Sequence, residues 1–114
     1  IMGTDSPLVW GVPGHSAHEE LLVISELGIS AYETLAIATR NAGEFIDQLL
    51  SNSQSFGTIE IGKRADLILV KDNPLQDVRN VREQIGVMAQ GRWFSAKYLA
   101  ARLNKIAREY AAIP

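Results

Sequence analysis

The residues able to do chemistry are few in this chain, and they lie far apart in sequence. The first is Thr4-Asp5, which follows Ile1-Met2-Gly3 and precedes Ser6-Pro7. Ile1-Met2 reads as the end of a strand. A carboxylate just beyond a strand end can ligate a cation or move a proton. The same Asp before Ser-Pro also suits a turn or a cap. His15 and His18 come next, three residues apart, with Glu19 and Glu20 beside them. Zinc-binding helices place two His at i and i+4 around a Glu, and that pattern is absent here. His18 reads as a helix-surface or packing residue, and His15 as a loop residue able to point into a pocket. Gly57-Thr58-Ile59-Glu60-Ile61-Gly62-Lys63 puts glycines near a lysine. A phosphate loop needs its glycines before a helix, whereas these bracket a strand pattern, so a hairpin turn with a solvated Lys63-Arg64 tip is expected. Asp66 is expected to bond turn amides or pair with Arg64. Trp93, Phe94 and Tyr98 read as core residues, with too little basic charge nearby for a base-stacking surface.

The elements that must position these residues follow from periodicity and punctuation. Residues 1–15 hold three of the nine glycines and two of the four prolines, and read as a long loop. Ser16-Ala17-His18-Glu19 and Ser30-Ala31-Tyr32-Glu33 both spell a capping box. Helices are predicted over 17–27, 31–40 and 42–50, with a kink near Asn41 or Gly43. The period then shifts to two. Strands are predicted over 57–61, 65–70, 84–90 and 92–94, with residues 75–83 as an irregular crossing marked by Leu75, Val78 and Val81. A last helix over 96–110 carries Leu99, Leu103, Ile106 and Tyr110 on one stripe.

Composition bounds the rest. At 114 residues the chain is about one domain, too short for a complete (β/α)₈ barrel of roughly 200 residues or more. Eleven Lys and Arg against thirteen Asp and Glu leave a net charge of −2, which argues against nucleic acid or an anionic membrane as partner. Without cysteine there is no disulfide, thiolate metal site or thiol nucleophile. No apolar run approaches a membrane span and no signal peptide opens the chain, so a cytoplasmic location is expected. Met2 stands second, behind Ile1, and the chain is therefore expected to be a piece of a longer protein.

The order of the pieces resembles the C-terminal end of the amidohydrolase superfamily, near the imidazolonepropionase-like metal-dependent hydrolases. The resemblance rests on GTDSP (3–7), PGHSAHEELLVISELGISAYETLAIATRNAGEFI (13–46), GTIEIGKRADLILVKDNPLQDVRNV (57–81) and GVMAQGRW (86–93). It implies an α+β chain in three parts. Residues 1–55 would be the end of a TIM-barrel-type domain, with the last strand end and closing helices. Residues 56–94 would be the C-terminal part of a small β-sandwich, and 95–114 a C-terminal amphipathic helix. It also implies that Asp5 is the catalytic and metal-binding carboxylate at the end of barrel strand eight. Trp10 and His15 would belong to the substrate loop. The full enzyme would hold a divalent metal, zinc in the first instance, and hydrolyse a small-molecule amide or cyclic amide. The family's early His-x-His, its other His ligands, its bridging Lys and seven of its eight barrel strands are not in this chain.

The isolated chain is accordingly expected to bind no metal and to be inactive, and to bury its uncovered Leu21, Ile24, Leu35, Phe45 and Ile46 by forming a homo-oligomer. The competing form is a monomer whose last helix folds back over that face. A free-standing, non-catalytic interaction or scaffold domain is the alternative function.

Overall fold

A computed structural model describes residues 1–6, 12–50 and 55–111. Its elements run α1 (His15–Glu26), α2 (Ala31–Ala38), α3 (Arg40–Leu49), β1 (Leu67–Val70), a 3₁₀ helix (Val78–Arg82), β2 (Gln84–Ala89), β3 (Arg92–Ser95) and α4 (Ala96–Ala111). The class is α+β, with one three-stranded antiparallel sheet in the order β1-β2-β3. Among the described residues no second sheet lies over this one.

The two capping boxes behave differently. Ser30 caps α2: its Oγ accepts from the Glu33 N–H, and the Glu33 carboxylate accepts from the Ser30 N–H. Ser16 caps nothing, because α1 begins one residue before it, behind Gly14 at φ 85°. The Pro13-Gly14 turn starts that helix, and the Ser16 hydroxyl donates to Val12 O and meets Ser6 Oγ at 2.7 Å. Ser30→Ala is therefore expected to cost about 1 kcal/mol in a urea melt, and Ser16→Ala clearly less.

The break between α2 and α3 falls at Thr39 (φ −126°, ψ −88°), ahead of the expected Asn41 or Gly43. Gly43 instead lets α3 approach the Phe56-Gly57 backbone, where a Cβ would stand 2.1 Å from Phe56 O.

No strand forms over 57–61. Ile59 is 84% exposed and Ile61 fully so. Alternating residues make a strand only when a neighbouring strand takes their N–H and C=O groups, and no described segment does. The same cause leaves residues 1–6 irregular, without the strand end expected at Ile1-Met2. β1 starts two residues later than expected.

The β2-β3 hairpin turns through Gln90 (φ 49°) and Gly91 (φ 76°). Two successive positive φ values are what a type I′ turn requires. Asp66 holds this turn: its Oδ1 accepts from the Gln90 N–H at 2.7 Å and its Oδ2 from Arg64 Nε. The Gln90 bond first, and then Arg64, keep the Asp66 carboxyl below its ordinary range against the opposing effect of burial. Arg64 also stacks over the Phe56 ring at 4.4 Å. The GKRAD segment is thus a structural clasp. Lys63 at its tip pairs with Glu60 at 3.0 Å, and the expected hairpin of two strands is an irregular loop.

The core is small. Leu21, Val78 and Val81 are buried, with Met2, Ala31, Leu35 and Ala38 packed against them and Thr34 buried alongside. Val78 and Val81 are one 3₁₀ turn apart, and Asp77 caps that turn by accepting from the Arg79 N–H. The crossing expected to be irregular is therefore the floor of the core. Leu21 is covered, contrary to expectation, whereas Phe45 remains 43% exposed. The radius of gyration, 15.8 Å, exceeds the roughly 13 Å expected of a compact chain this long. Trp93 is half-exposed and Tyr98 likewise, so neither is the core residue expected, although Phe94 and Tyr98 rings lie 5.9 Å apart.

Candidate functional site

The segment carrying Asp5 is fastened to the start of α1. The Gly3 N–H donates to Glu20 Oε1 at 3.1 Å, the Ser6 hydroxyl meets that of Ser16, and Met2 packs on the core. Asp5 between them is exposed and takes φ 47°. This left-handed conformation is uncommon for residues with a Cβ, and Asp and Asn tolerate it best. The flanking fastenings at Gly3 and Ser6 hold it on either side.

His15 is the first residue of α1 and not a loop residue. It is exposed, with Nε2 4.0 Å from Glu19 Oε1. Trp10 lies outside the described residues. Glu19 pairs with Arg82 on the 3₁₀ helix, which ties α1 to the crossing and replaces the capping role expected of it. His18 is half-buried and its Nδ1 is shut off from solvent without a hydrogen-bond partner among the described residues. Burial foremost, then the charges of Arg82 and His15, hold its pKa below the ordinary value, with Glu19 opposing. A depressed imidazole pKa favours the neutral form in the fold. Its contribution is present above about pH 6.5 and is lost as pH falls through the folded-state value. The urea midpoint is expected to drop between pH 7 and pH 5, and His18→Gln to flatten that slope. A slope unchanged in the variant would reject the assignment.

Among the described residues no three His, Asp or Glu side chains gather where they could hold a metal ion. Catalytic metal sites normally use several protein ligands and leave a position open. Asp5 alone does not make such a site. What Asp5 offers is an exposed carboxylate in a fixed backbone conformation, able to accept a proton. Glu20 and Ser16, which fasten its segment, were not anticipated as site residues. Their only sequence signal is their position on the first turns of the helix after the loop.

An open cleft of about 810 Å³ lies elsewhere, between the α2–α3 junction and the sheet, lined by Thr39, Phe56, Leu67, Val87 and Met88 among others. Its lining is mainly apolar, and Asp5 is not part of it.

Residues 1–94 match the Amidohydrolase family. The chain belongs to that family, whose members are hydrolases that generally use divalent metals. Comparison with curated proteins and with solved structures returned no match. No helix among the described residues is long and apolar enough to cross a membrane.

Proposed function

We propose that this chain is the C-terminal portion of a metal-dependent amidohydrolase of the imidazolonepropionase-like branch. The reaction is hydrolysis of a C–N bond other than a peptide bond, in a small linear or cyclic amide. Family membership across residues 1–94 is the observation that carries this reading. Asp5, exposed and fastened on both sides, is assigned the proton transfer: it accepts the proton of the attacking water and delivers it to the leaving nitrogen. Zinc is the proposed ion, and its remaining ligands are assigned to segments of the longer enzyme. The small core, the unpaired 57–61 segment and the half-exposed Ile68 and Leu69 of β1 support a layer that other strands complete.

The test is turnover of a panel of linear and cyclic amides with added zinc. The 114-residue chain is expected to show none. The longer enzyme is expected to be active and to lose activity on Asp5→Asn. Zinc-dependent turnover by the isolated chain, abolished by Asp5→Asn, would overturn the assignment of ligands to other segments.

A further inference from the structure

Helix α4 lies beyond the residues matched to the hydrolase family. Its sixteen residues extend about 24 Å. It rests on β2 and β3, where the Tyr98 N–H donates to Ser95 Oγ at the helix start. Residues 100–111 are all exposed. The last helix therefore does not fold back over the apolar face of the other helices.

Its apolar residues keep a strict coiled-coil spacing. Leu99, Leu103, Ile106 and Tyr110 alternate steps of four and three, which makes Leu99 and Ile106 d positions and Leu103 and Tyr110 a positions. Leu99 is half-buried in its own fold, but Leu103 is 66% exposed and Tyr110 71%. From Leu99 to Tyr110 the large apolar side chains fall only on a and d, the spacing of a coiled-coil seam. The flanks are equally specific. The e positions are Ala100 and Ala107, small enough for close approach of two backbones. The g positions are Arg102 and Glu109, of opposite charge.

We propose that α4 is the self-association surface of this chain, pairing antiparallel with α4 of a second copy. One antiparallel register sets Leu103 opposite Ile106 of the second copy and Leu99 opposite its Tyr110. In that register g faces g, so each Arg102 meets a Glu109 of the other chain, twice by symmetry. On the other flank Ala100 faces Ala107. A parallel pair would set g against e, leaving Arg102 facing alanine with no charge match. Glu109 lies 3.7 Å from Lys105 of its own helix, an exposed contact of the kind worth little in water. A seam of this length buries less than the ~1,200 Å² of a stable specific interface, so micromolar dissociation is expected. The inference stands apart from the hydrolase reading, because it uses only α4.

Sedimentation equilibrium of the 114-residue chain over a wide concentration range tests it. A monomer–dimer equilibrium is expected, and Leu103→Glu with Ile106→Glu should leave a monomer of unchanged far-ultraviolet circular dichroism. Arg102→Glu alone and Glu109→Arg alone each turn both charge pairs repulsive and should weaken pairing about tenfold. Mixed together, those two variants regain both attractive pairs and should form a heterodimer near parental affinity. A monomer at all concentrations overturns the proposal, whether the helix then binds anionic vesicles or does not. So does a dimer indifferent to the Leu103 and Ile106 changes, and failure of the mixed variants to recover overturns the antiparallel register.

Discussion

Asp5→Asn, made in the longer enzyme that carries this segment, is expected to lower kcat by about 10²–10⁴-fold while leaving KM and thermal stability nearly unchanged. The magnitude is that of removing a positioned proton-transfer group. Asn is the informative replacement for a geometric reason. Asp5 stands at φ 47°, a region that Asn shares readily and Ala does not. Asn therefore keeps the backbone, the volume and an acceptor oxygen, and removes only the proton-accepting carboxylate. Its exposure means that little packing changes with it. Asp5→Glu keeps the acid but displaces it by one methylene, and an intermediate loss is expected. Loss of stability together with activity in Asp5→Asn would instead make Asp5 a turn residue. Near-parental kcat would remove it from the mechanism altogether.

Gly43→Ala is expected to be the most damaging small substitution in the helices. In an exposed helix this change usually stabilises by about 1 kcal/mol. Here the added Cβ would lie 2.1 Å from Phe56 O, 2.9 Å from Phe56 C and 3.2 Å from the Gly57 Cα. All three are backbone atoms, so relief requires moving α3 away from the 56–57 segment. Gly57 cannot yield easily, since its own position sits at φ 95° against Thr39 O. A cost of about 3 kcal/mol or more is expected, at or above the upper end of overpacking. That is a large fraction of the ~5–15 kcal/mol by which domains are stable. Gly86→Ala makes a partial contrast. Its two nearest contacts are Trp93 ring atoms at 2.3 and 2.6 Å, which the half-exposed Trp93 can withdraw, and the third is the Phe94 carbonyl oxygen at 2.9 Å, so a smaller cost than at Gly43 is expected. Chemical denaturation of both variants checks the ordering. A Gly43→Ala midpoint at or above the parent's would mean that α3 and the 56–57 segment do not pack as described.

Local signals in the sequence were sufficient where the forces are local. All four helices, the β2-β3 hairpin and the Ser30 box were legible because helical period, capping and turn chemistry act within a few residues. The α+β class and the family resemblance followed from the order of those pieces. The identical Ser16 box failed because the Pro13-Gly14 turn starts α1 earlier and Ser6 takes the hydroxyl. The 57–61 strand failed because a strand exists only with a partner, and its amides have none among the described residues. Val78 and Val81 carried their i, i+3 spacing openly, but that spacing alone could not say that they would be buried beneath Leu21. Asp5 could be singled out from Thr4-Asp5, whereas its left-handed backbone and its fastening through Glu20 and Ser16 depend on α1 lying beside it. Helical segments, the tight Gln90-Gly91 turn and an isolated Asp5 are readable from neighbouring residues because the forces that make them are local. What those residues touch is not, because burial, strand pairing and a strained φ are each maintained by atoms distant in the chain.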